Sequence, residues 1–166
     1  MPLATMKDLL VSHLNELHAN ERHLSELLPA LAKAASSQEL ADKLKAHASE
    51  AKEHATRLVG VFRELGTRPH SANSETRGMK GLAQDCLHLA RSHGAEPHVR
   101  DAAIIGAVQH LKHDEIAGYG CARTWARLLG HQAVARTLQD ILDEERDFDA
   151  ELTRLAESVN ERALQV

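Results

Sequence analysis

Aromatic residues are scarce in this chain of 166: Phe62, Tyr119, Trp125 and Phe148 make up 2 % of it. Sheets draw on aromatic and β-branched side chains, so the shortage argues against a sheet core. Proline is also sparse, with 4 residues at positions 2, 29, 69 and 97, which leaves most of the chain without a helix breaker. The 2 cysteines, Cys86 and Cys121, are isolated and form no C-x-x-C, as expected of reduced thiols in a cytosolic protein. Basic charge is not in excess. Lys and Arg number 20 against 24 Asp and Glu, and a net charge of −4 gives no basic stripe for nucleic acid. No apolar run is long enough to span a membrane. Residues 1–7 lack the charged-then-apolar build of a signal peptide, so the expected location is cytoplasmic.

What is present is helical periodicity. A first helix is predicted from about Thr5 to Ala35, with Leu10, Leu14, Leu17, Leu24, Leu28 and Leu31 in one stripe. Pro29 should kink or tighten its last turns. Ser36-Ser37-Gln38-Glu39 has the S-x-x-E form of a capping box and opens a second helix that runs to about Leu65, with Gly66 as its stop. Residues 67–76 are polar and form a loop. A shorter helix is expected from about Arg77 to Ser92, ended by Gly94. Pro97 then marks the first turn of a helix reaching about Leu129. After Gly130 a last helix runs from about Gln132 to Asn160.

The connections within each pair of long helices are very short, so each pair is an antiparallel hairpin: hairpin one about 5–66, hairpin two about 97–160. The link between them, 67–96, is long and carries its own helix. One long crossover in a four-helix, up-down bundle is the ferritin-like topology, and the expected fold is all-α, in a single domain of residues 1–166. A gapless shift of 94 positions also overlays the hairpins. It puts Glu21 on Glu115, Gln38 on Gln132, Leu44 on Leu138, Glu50 on Glu144 and Leu58 on Leu152.

On a helical wheel, Glu21 falls about 30° from the centre of its leucine stripe, Glu115 about 15° and Glu145 about 25°. Glu50 and Glu144 fall on the flanks, while His47 and His54 lie well inside. A buried ionised carboxylate is costly unless paired or bound to metal. Here one acid per helix lies at a similar height, about 14–15 residues from the hairpin turns, the arrangement of a carboxylate-bridged dinuclear site. Iron or manganese suits such oxygen-rich ligation. The usual Glu-x-x-His motif is not clean: helix two offers His47-x-x-Glu50 and Glu50-x-x-x-His54, and the last helix offers Glu145 with Asp149 and no histidine. The competing expectation is an interior salt-bridge network involving Arg22, Arg57 or Lys112. His13 and His113 are further candidates for ligand or supporting roles. His18, His23, His88 and His110 belong to polar faces or rims, and His70, His93, His98 and His131 to loops and helix ends.

Asp101-Ala102-Ala103-Ile104-Ile105, Glu115-Ile116-Ala117-Gly118-Tyr119-Gly120, Leu129-Gly130-His131 and Leu142-Asp143-Glu144-Glu145 together resemble the YciE/YciF-type stress-response family of bacterial ferritin-like proteins. The likeness extends to Glu21, to residues 28–34, to His47 with Glu50, and to Asp149 with Leu152-Thr153. The resemblance implies a homodimer, a di-iron-type centre and a link to stress responses. Two positions depart from the family: Lys112 stands where an acid is common, and His54 where an amide is common. The expected centre therefore holds two divalent ions, iron or manganese. Glu21 and Glu145 are terminal ligands, Glu50 and Glu115 bridging or terminal, and His54 a nitrogen donor. Its chemistry is redox handling of peroxide, oxygen or iron. Tyr119, one turn beyond Glu115, is expected to be a half-buried packing residue. The rival is a metal-free dimeric scaffold.

Overall fold

The computed structural model describes residues 3–70, 77–92 and 94–165. Pro2, His93 and residues 71–76 of the expected loop lie outside them. Five helices follow in order: α1 Met6–Ala34, α2 Gln38–Glu64, α3 Arg77–Ala90, α4 Pro97–Leu128 and α5 Gln132–Ala163. No strand occurs among the described residues. Predicted and observed helix boundaries agree to within about three residues, an ordinary fraying margin. The three glycines expected to end helices, Gly66, Gly94 and Gly130, all have positive φ, at 72°, 75° and 84°.

The caps depart from expectation in two places. The N-cap of α2 is Ser37, not Ser36: its Oγ accepts from Leu40 N at 3.3 Å. The cause is tertiary. The backbone N–H groups of Ser36 and Ser37 both donate to the Asp101 carboxylate of α4, each at 2.7 Å, and this sets where the helix begins. At α1 the capping box that sequence reading passed over is Thr5 with Asp8. Thr5 Oγ1 accepts from Asp8 N at 3.1 Å, and Thr5 N donates back to Asp8 Oδ2 at 2.9 Å. Pro29 does not end α1, which continues to Ala34.

α1 packs along α2 and α4 along α5, giving the two hairpins. α1 meets α4, α2 meets α5 more sparsely, and α3 lies on α4 and α1. The fold is an all-α ferritin-like bundle. α1 and α4 approach closely at Gly118, where a Cβ would stand 2.9 Å from Leu17 Cδ2 and 3.3 Å from His13 Nε2. His13 Nε2–H donates to the Gly118 carbonyl across this contact at 3.1 Å.

Two apolar clusters fill the interior. One gathers Leu24, Leu28, Leu44, Met79, Ile104 and Leu152 toward the α1–α2 turn. The other gathers Leu10, Leu14, Leu58, Phe62, Leu138 and Ile141 toward the α4–α5 turn. Between them, mid-helix, lie Glu21, His47, His54, Lys112, Glu115 and Glu145, all buried.

Candidate metal centre

The inward stripes of α1, α4 and α5 carry Glu21, Glu115 and Glu145 to full burial, as the wheel predicts. His47 and His54, two turns apart on α2, are each 1 % exposed. The interior also holds Lys112, which is fully buried. It lies one turn before Glu115 and therefore on the same face of α4.

Lys112 Nζ donates to Glu145 Oε2 and to His47 Nε2, both at 2.8 Å, and pairs with Glu115 Oε2. Because His47 Nε2 receives that proton, its other nitrogen carries the ring hydrogen. Nδ1–H then donates to Glu50 Oε2 at 2.7 Å. The ring stacks on Phe148 at 3.8 Å between centroids and an interplanar angle of 6°, which holds it in place. On the other side of the layer, His54 Nδ1 faces Glu21 Oε1 at 3.2 Å and Glu145 Oε1 at 3.1 Å, while Nε2 meets Glu144 Oε2 at 2.7 Å. Carboxylates at both nitrogens favour the imidazolium. Burial alone would lower the His54 pKa, but Glu145 and Glu21 outweigh it and push it up to about 10.

The acids differ in the same terms. Burial raises the Glu115 carboxyl well above its usual range, against the pull of Lys112. Burial also pushes the Glu145 carboxyl up, but the Lys112 ammonium and the His54 imidazolium beside it outweigh burial and hold it well below that range. Tyr119 is fully buried, not half-buried. Its hydroxyl donates to Glu21 Oε1 at 2.5 Å, and burial followed by the Glu21 charge drives its pKa well up. Its side chain therefore belongs to the polar layer as well as to the core.

The other expected ligands sit farther out. Glu50 and Glu144 are half-exposed, with side chains 53 % and 46 % accessible, and each grips a histidine from outside. Glu144 also takes a two-point contact from Arg57 Nη1 at 2.7 and 2.9 Å. His113 is 65 % exposed and lies 3.6 Å from Asp149. Asp149 accepts from the Gln109 amide at 3.2 Å, and neither residue joins the interior cluster. Sequence reading missed the buried amides Asn15 and Asn20. Asn15 Oδ1 receives His70 N at 2.7 Å and ties the end of hairpin one to α1. Only the wheel position of these asparagines could have signalled this.

Glu21, His54 and Glu145 each offer a ligand atom, and these atoms lie within 4.8 Å of one another. Glu21 Oε2 is buried with no hydrogen-bond partner among the described residues. The two carboxylates and the imidazole fit one divalent ion. The remaining interior donors, Glu115 Oε2, Glu145 Oε2 and His47 Nε2, converge on the Lys112 ammonium, while Glu115 Oε1 is buried with no hydrogen-bond partner among the described residues.

Residues 5–165 match the family described as a domain of unknown function, DUF892. The chain belongs to the DUF892 family. Among its relatives is Protein YciF of Escherichia coli (strain K12), 32 % identical over 164 residues, spanning 98 % of each chain. The crystal structure of the E. coli stress protein YciF superposes with a TM-score of 0.90 at 30 % identity, covering 95 % of this chain and 98 % of that one. A ferritin-like, diiron-carboxylate protein from Bacillus anthracis str. Ames superposes at 0.71 with 18 % identity, over 92 % of this chain and 99 % of that one, a likeness of fold. No helix among the described residues of this DUF892 chain is long and apolar enough to cross a membrane.

Proposed function

We propose that this chain is a cytoplasmic, homodimeric, ferritin-like stress protein that binds iron or manganese through Glu21, His54 and Glu145 and handles peroxide, oxygen or iron there. The observation that carries this reading is the convergence of those three buried side chains, with one Glu21 oxygen unpartnered. The kinship with a stress protein and the ferritin-like fold support it. A redox-active divalent ion supplies electron transfer that the side chains themselves lack. To ligate it, His54 gives up its Nδ1 proton and keeps Nε2–H on Glu144. Tyr119 holds a proton on Glu21 without exposing it to solvent. An acidic groove of about 620 Å³ between α2 and α5, lined by Glu50, Glu53, Glu144 and Asp147 beside His47, offers cations a route to the layer.

Protein from cells grown with added iron or manganese should carry bound metal by elemental analysis. Glu21→Ala combined with Glu145→Ala should abolish it. Light scattering at twice the chain mass checks the dimer. The second reading, a metal-free helical scaffold, is favoured by Lys112, whose ammonium already pairs two of the three interior acids. It prevails if no metal is found and added Mn²⁺ leaves the melting temperature unchanged.

A further inference from the structure

The two oxygens of Glu145 face opposite ways. Oε1 meets His54 Nδ1 at 3.1 Å, on the side shared with Glu21, and Oε2 meets Lys112 Nζ at 2.8 Å. Glu145 thus bridges two positions, as a carboxylate does between two metal ions. The first position has Glu21 and His54 as its other donors. The second has Glu115 and His47 Nε2, and Lys112 Nζ stands among them. A cation at this second position would need the same three donors, and it would meet a fully buried ammonium that has no lone pair to offer.

Charge decides the same way. The fully buried acids of this layer are Glu21, Glu115 and Glu145; the other buried acid, Asp101, lies at the α1–α2 turn and accepts from Ser36 N and Ser37 N. Within the Lys112–Glu115 pair the amine, the stronger base, keeps the proton, so three carboxylates balance one divalent ion and one ammonium. A second divalent ion would leave a large uncompensated charge in the apolar interior, which is strongly unfavourable. Glu50 and Glu144 do not alter this balance, because both are half in solvent and bonded to a histidine at the rim.

We infer that the centre is a mixed one: a single divalent ion at Glu21, His54 and Glu145, with the Lys112 ammonium built in where a second metal ion would stand. This inference rests on the metal-binding reading above and narrows it from a dinuclear to a mononuclear site. Glu115, expected as a bridging or terminal ligand, is then the counter-ion of Lys112.

Titration of metal-depleted protein with Mn²⁺, followed by calorimetry and electron paramagnetic resonance, tests it. The expected result is one Mn²⁺ per chain with the spectrum of an isolated ion. Lys112→Glu should raise the count to two and introduce exchange coupling between them. Two coupled ions in the unaltered chain would overturn the inference and leave the metal reading standing. No binding at all would overturn both. A folded Lys112→Glu protein that still takes one ion would overturn the role given to Lys112. Should that variant not fold, the count in the unaltered chain decides alone.

Discussion

The two hairpins bring unlike chemistry to one layer. Hairpin one supplies Glu21 and the histidines; hairpin two supplies Lys112, Glu115 and Glu145. Under the shift of 94 positions, Glu21 falls on Glu115, both fully buried, and Glu50 falls on Glu144, both half-exposed and each bonded to a histidine. The correspondence ends at the cations. Lys112 falls on His18, His54 on Phe148, and His47 on Ile141, while Glu145 falls on Ala51. The acids form a common frame, and the two halves differ in how each frame is neutralised: by imidazoles from one hairpin and an ammonium from the other. The turns differ too. Hairpin one's turn is held by Asp101, a residue of hairpin two, whereas hairpin two closes on its own Gly130.

The largest effect should come from removing the ammonium. Lys112→Met in metal-free protein strands the low-pKa Glu145 beside an apolar side chain. Urea denaturation should show a loss of about 3–5 kcal/mol. A loss near zero would mean that the histidines neutralise the layer unaided, and the contrast between hairpins would lose its meaning. Next is the borrowed turn. Asp101→Ala removes a buried carboxylate that accepts two short backbone hydrogen bonds, and about 2–3 kcal/mol should follow. Hydrogen exchange at Ser36 and Ser37 should accelerate while the amides around Gly130 stay protected.

The self-contained turn should be less sensitive. Gly130→Ala forces a Cβ into the left-handed region at φ 84°, which costs about 1–2 kcal/mol. The resulting drop in melting temperature should be smaller than that of Asp101→Ala. The smallest effect belongs to His18, the counterpart of Lys112. Burial and then the Arg22 charge lower its pKa below 6.5 in the folded state. The folded protein therefore binds its proton less readily than the unfolded chain. Its contribution to stability is complete above the unfolded pKa and is lost as pH falls through and below it. His18→Gln should flatten that acid limb of a stability–pH profile, whereas changes at the rim acids should not reproduce it.

Much of this was legible in the residues themselves. Helix number, boundaries, the two hairpins and the inward acids Glu21, Glu115 and Glu145 follow from local spacing, because a period of 3.6 places every side chain on a known azimuth. The same spacing put His47 and His54 inside. It did not distinguish Glu50 and Glu144, which bond the histidines from the rim, from acids that enter the layer. A flank position on one helix becomes interior or exposed only through how closely its neighbour packs, and α2 and α5 meet sparsely.

The periodicity of this chain by itself determined a ferritin-like bundle with carboxylates at mid-height. Tertiary structure alone decided what neutralises them. Lysine has a long flexible stem that either snorkels to water or reaches inward, and its wheel position does not say which. Only when four helices close around Lys112 do Glu115, Glu145 and His47 meet at one Nζ, with the Glu21, His54 and Glu145 ligand atoms grouped beside it.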